Sequence, residues 1–99
     1  MTDITSTCSF VERGQQLSWK EIVVVTPATA DAADTITLTL SNYGARYFAH
    51  INGVAHTTEN SVIVQEDPTT AVSSGVLTIT IGGSATNKKR IYRVLLQSY

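Results

Sequence analysis

The sequence predicts an all-β domain: a single small antiparallel β-sandwich, immunoglobulin-like or jelly-roll-like, with about seven strands and an extended N-terminal arm over residues 1–8. Three observations predict it. The stretches TITLTL at 35–40 and LTITI at 77–81 alternate threonine with aliphatic residues at a strict period of two, and in a strand successive side chains point to opposite faces of the sheet. The same rhythm recurs less cleanly along nearly the whole chain, while helical periodicity is almost missing. Turn signals punctuate the runs roughly every ten residues, the spacing of a sandwich or a small barrel.

In chain order, period-two runs between turn signals place strands at 6–12, 16–26, 35–41, 46–51, 54–65 in one or two pieces, 75–82 and 90–97. Arg13-Gly14 is expected to turn the first strand into the second. The Ala/Asp-rich TPATADAAD at 26–34 contains Pro27 and is too short for a helix, so it reads as a loop with at most one turn. Asn42-Tyr43-Gly44 tolerates positive φ, Asp67-Pro68 opens a loop, and Gly82-Gly83 ends a strand. Asn52-Gly53 is the strongest short-range hairpin signal; a two-residue turn there would pair Ile51 with Val54 and His50 with Ala55. Parity puts Ile36, Leu38 and Leu40 on one face opposite Thr35, Thr37 and Thr39. It likewise gathers Leu77, Ile79 and Ile81, and Tyr92, Val94 and Leu96, into core faces. Ile22, Val23, Val24 and Val25 are apolar on both faces, which suits a central strand, one covered by the 26–34 loop, or a subunit contact.

Length and composition bound the rest. Ninety-nine residues make one domain, 1–99, able to bury roughly two-thirds of its unfolded surface. Charged residues are only 15% of the chain, whereas 15 threonines and nine serines are present. A hydroxyl face loses water at lower cost than a charged one, because each hydroxyl is satisfied by one or two hydrogen bonds. The lone Cys8 forms no internal disulfide and reads as a small strand residue. No apolar run approaches the ~20 residues of a membrane helix. The N-terminus has neither a basic region nor an apolar stretch of signal-peptide type, so the expectation is a chain not secreted by a signal peptide, with no membrane partner.

No residue pattern carries chemistry. In the predicted hairpin His50 and His56 fall on opposite faces, and no Cys or carboxylate stands at ligand spacing, so no metal site is expected. No nucleophile elbow is present, Cys8 has no cationic neighbour, Glu66-Asp67 before Pro68 reads as a solvated turn, and Gly82-Gly83 precedes no helix that would hold a phosphate. The expectation is therefore no catalytic residue, no cofactor and no enzyme activity. Residues 46–99 carry five basic and three acidic side chains, with Lys88, Lys89, Arg90 and Arg93 close together. That is a weak footprint for nucleic acid, and a solvated turn or a salt-bridged contact to a neighbouring subunit fits better. Trp19, Tyr43, Tyr47 and Phe48 invite a sugar-stacking reading, against which core packing of Trp19 and Phe48 weighs more.

The stretch from about 35 to 97, especially GVLTITIGG at 75–83 and NKKRIYRVLL at 87–96, resembles the small β-sandwich structural proteins of tailed bacteriophages, most of all capsid decoration (cement) proteins. The resemblance implies a non-enzymatic virion component assembled in the host cytoplasm, binding the major capsid protein or another virion protein, commonly as a homotrimer. The alternative is a carbohydrate- or receptor-binding module of a phage tail or fibre. On this reading Ile22, Val24, Tyr92, Val94 and Leu96 are the candidate self-association residues. Tyr43, Arg46, Tyr47, Lys88, Lys89 and Arg90 are the candidate contacts to the shell. The N-terminal arm and the last strand are expected to add to a neighbour's sheet edge.

Overall fold

A computed structural model describes residues 2–16, 19–56, 63–64, 67–84 and 86–97; for 13–16, 19, 53–56 and 63–64 it describes the backbone alone. The chain is a two-layer antiparallel β-sandwich. Its strands are β1 (Ser9–Gln16), β2 (Trp19–Val25), β3 (Thr35–Thr39), β4 (Tyr47–His56), β5 (Ile63–Val64), β6 (Thr69–Ser73), β7 (Val76–Thr80) and β8 (Arg90–Gln97). One sheet runs β1-β2-β8-β4 with the two-residue β5 at its far edge; the other runs β3-β7-β6.

Parity builds the core. Ile22 and Val24 of β2 and Tyr92, Val94 and Leu96 of β8 point inward from the larger sheet. Ile36, Leu38, Leu77 and Ile79 point inward from the smaller one, with Leu40 and Ile81 just beyond it, and all eleven are buried. Phe10, Phe48 and Ile51 pack against them from the flanking strands. The threonine and aliphatic alternation thus does what period two requires, one face dry and the other wet.

Loop 26–34 straps the two sheets together and contains no helix. Its Ala30 is buried, and the Ala30 carbonyl accepts from the Lys88 backbone N–H at 3.0 Å and from Arg90 Nη1 at 2.9 Å. Arg90 also donates from Nη1 to the Lys88 carbonyl, and its backbone N–H donates to Thr26 Oγ1 at 2.8 Å. Buried Asp34 accepts from the backbone N–H groups of Thr2 and Asp31. Residues Leu40–Tyr43 form a 3-10 turn that Gly44 ends at φ 68°. Gly82 lies so close to the Asp67 carbonyl oxygen that a methyl group there would overlap it.

Four expectations need correction. Asn52-Gly53 does not turn: β4 runs through it, with Asn52 opposite Arg93 and Gly53 opposite the bulky, buried Tyr92. A local turn preference cannot compete with an eight-pair ladder to β8, and a glycine within a strand allows a neighbour to approach closely. The two histidines therefore pair not with Ala55 and Ala49 but with Leu95 and Ile63. They sit six residues apart on one strand, about 20 Å along it. Arg13-Gly14 does not turn either; the register shifts between Glu12 and Gly14, a bulge within β1, and β1 continues until Gln16 pairs with Trp19.

The third correction is β6. TTAVS at 69–73 forms a strand and closes a hairpin with β7 through Ser74-Gly75, at φ 52° and 77°, the paired positive φ of a two-residue turn. The fourth concerns the chain ends. The arm lies on the chain's own β3, through Ile4 N–H to the Thr35 carbonyl (2.9 Å), Thr35 N–H to the Thr2 carbonyl (2.8 Å) and Thr37 N–H to Thr5 Oγ1 (2.9 Å). Residues Thr5–Thr7 coil into a 3-10 turn. The last strand, β8, is enclosed between β2 and β4 and has no free edge to offer a neighbour.

Candidate functional site

The outward positions of the larger sheet form an apolar patch with a polar border. Register places Ser9, Val25 and Ile91 in one cross-strand row, Val11, Val23, Arg93 and Asn52 in the next, and Glu21, Leu95 and His50 in a third. Val11 is 45% exposed, while Val23, Val25, Ile91 and Leu95 are half-buried by their neighbours alone. Val11, Glu21, Val23, Ile91 and Arg93 line a shallow depression of about 350 Å³. Across it Arg93 donates through Nε and Nη2 to Glu21 Oε2, both at 2.7 Å. At the border His50 Nε2 and Asn52 Oδ1 stand 3.2 Å apart, within hydrogen-bonding distance.

This arrangement has the anatomy of a protein-binding face: aliphatic side chains in the middle, polar groups around them, and the two charges already neutralised by each other. It arises because β2 and β8 are apolar at outward as well as inward positions. The outward face of the smaller sheet differs. There the rows are Thr35, Thr80 and Thr69, then Thr37, Thr78 and Ala71, then Thr39, Val76 and Ser73.

The structure redistributes the sequence-predicted residues. Ile22, Val24, Tyr92, Val94 and Leu96, expected at a subunit contact, are fully buried in the chain's own core. The expected residues have the inward parity of β2 and β8; the outward residues of the same strands are Val23, Val25, Ile91 and Leu95. Arg90, expected to meet a shell, is fully buried beneath the 26–34 strap. Lys88 is half-buried and Lys89 exposed; Arg46 and Tyr47 are exposed, whereas Tyr43 is half-buried against the core. The 43–47 segment precedes the end of β4 that faces Gln97, and Lys88 and Lys89 precede the other end of β8. A length of β8, about 24 Å, separates them, so they do not form one contact. Trp19's side chain lies outside the described residues.

Among the described residues no group of three His, Cys, Asp or Glu side chains gathers to hold a metal ion. No helix of the described residues is long and apolar enough to cross a membrane. Burial, assisted by the Asp3 carboxylate, pushes the Cys8 thiol up to about 11, which keeps it protonated and poorly nucleophilic near neutrality. Burial, with a smaller contribution from Glu12, also raises the Tyr43 hydroxyl. No family model, no curated protein and no solved structure matches the chain.

Proposed function

We propose that the chain is a non-enzymatic assembly module of a tailed-bacteriophage virion, a capsid decoration protein that docks on the shell through the outward face of β1, β2 and β8. The observation that carries this reading is the aliphatic face of Val11, Val23 and Ile91 around the neutralised Glu21–Arg93 pair. Several half-exposed aliphatic side chains on one flat sheet face suit a partner that covers them at once. The low charge and the abundance of threonine, and the resemblance of 75–96 to decoration proteins, supply the class of partner, a major capsid protein.

Co-sedimentation tests it. Purified tailed-phage shells stripped of their own decoration protein are mixed with the wild-type chain and with Val23→Lys, which sets a charge in the middle of the face. The expected outcome is saturable pelleting of wild type and at least a tenfold loss with Val23→Lys. Wild type that stays in the supernatant with every shell tried, or Val23→Lys that pellets equally well, would overturn the assignment.

A further inference from the structure

We propose that the free edge of β6 is a homotypic pairing site, at which two copies of the chain join antiparallel about a twofold axis through Ala71. The four sheet edges of the sandwich are not treated alike. β3 is covered by the N-terminal arm. β1 carries Glu12 and Arg13 at a register shift, and β5 is two residues long. Charge, bulges, short strands and covering segments are the devices by which soluble sheets discourage edge pairing. Among the described residues, β6 has none of them. Its five residues, TTAVS, pair with β7 in unbroken register, all five are exposed, and among the described residues no strand pairs with its other edge.

Even Val72, which shares the inward face with Leu77 by register, is 49% exposed. The partner's character follows from charge. Residues 68–87 contain no Asp, Glu, Lys, Arg or His, so neither an acidic nor a basic surface finds a counterpart along this hairpin, and an uncharged strand does. β6 itself is such a strand.

The register is set by the hairpin. Ser73 and Val76 flank the two-residue turn as its hydrogen-bonded pair, so Thr69, Ala71 and Ser73 direct their backbone groups into β7. Thr70 and Val72 therefore direct theirs outward. Antiparallel pairing about Ala71 sets Thr70 of each copy opposite Val72 of the other, with about four main-chain hydrogen bonds, and brings the two Ala71 residues face to face as a non-hydrogen-bonded pair. The side chain of Val72 then packs beside that of Thr70 from the second copy. The contact is smaller than a standard interface, so it forms reversibly, in the range of about 10 μM to about 1 mM.

Sedimentation velocity of the full chain across that concentration range provides the test. Wild type is expected to shift from monomer to dimer, Val72→Lys to remain monomeric with an unchanged circular-dichroism spectrum, and Val23→Lys to behave as wild type. The last arm separates this site from the shell-docking face, so either inference can fail alone. A second measurement does not depend on Val72→Lys folding. In a Cys8→Ser background, Ala71→Cys is expected to form a disulfide-linked dimer on mild oxidation, whereas Ser84→Cys, on an exposed turn, is not. A chain that stays monomeric throughout, an oligomer (a trimer included) that Val72→Lys leaves intact, or equal cross-linking at 71 and 84 would overturn the proposal.

Discussion

The two outward faces of this sandwich are built on the same alternation and present different chemistry. On the three-stranded sheet the outward positions are mostly threonine: Thr35, Thr37, Thr78 and Thr80 sit beside one another across β3 and β7. On the five-stranded sheet the equivalent positions of β2 and β8 hold Val23, Val25, Ile91 and Leu95 around an ion pair. A hydroxyl face gains little by leaving water, because each hydroxyl exchanges one hydrogen bond for another. An aliphatic face gains in proportion to the area covered. A strand's inward residues thus tell how the chain folds, and its outward residues tell which face has a reason to be covered.

The largest expected effect tests the premise that the inward faces alone hold the layers together. Ile79→Ala, at a fully buried position, should lower the unfolding free energy by about 3 kcal/mol in urea denaturation. Thr78→Ala, its outward neighbour, should stay within about 1 kcal/mol of wild type. Equal losses would mean that the threonine face is structural.

Next is the strap. Arg90→Ala removes the guanidinium that donates to the Ala30 and Lys88 carbonyls, leaves Ala30 with only the Lys88 N–H as donor and empties a fully buried position; a loss of about 2 kcal/mol is expected, read as a lower denaturation midpoint. Arg90→Ala with unchanged stability would place Arg90 at the surface.

The Glu21–Arg93 pair should matter least to the fold. Its arginine side chain is 62% exposed, so Glu21→Gln is expected to change the denaturation midpoint by no more than the equivalent of about 0.5 kcal/mol, and less at high salt. A larger loss would make the aliphatic face depend on the pair to exist.

Cys8 sharpens the picture where the N-terminal arm leads into β1. Its thiol, pushed up to about 11, should react with iodoacetamide slowly at pH 8 and increasingly as pH rises through 10 and 11, whereas a free cysteine levels off near pH 9 to 10. Rapid alkylation at pH 8 would show that the arm leaves β3 and exposes the thiol.

How much of this was legible in the sequence differs by scale. The sandwich and its core were legible wherever threonine alternates with aliphatic residues, because period two specifies both strand and face: Ile36, Leu38, Leu77 and Ile79 are inward as expected. The Asn52-Gly53 and Arg13-Gly14 signals misled because turn preference is local, whereas the ladders that carry β4 and β1 through them are made with residues some forty and ten positions away. β6 was hidden by its small polar residues, although Ser74-Gly75 between TTAVS and VLTIT was a hairpin signal.

The aliphatic outward face was only half legible. IVVV at 22–25 announced a strand apolar on both sides, but which parity faces out depends on where the second sheet lies, and one strand's sequence does not contain that. Ile22 and Val24 were therefore the natural choice, yet they face the core and Val23 faces out. The basic cluster 88–90 looked uniformly exposed in sequence, yet Arg90 turns inward to fasten the 26–34 strap.

The most direct test of the division between the two faces is cysteine protection. In a Cys8→Ser background, Val23→Cys and Thr78→Cys place one thiol in the middle of each outward face, and maleimide labelling is followed with and without saturating stripped shells. Val23→Cys should label at least tenfold more slowly on the shell while Thr78→Cys labels at its free rate. Protection of Thr78→Cys with Val23→Cys still reactive would mean that the threonine face is the one that docks.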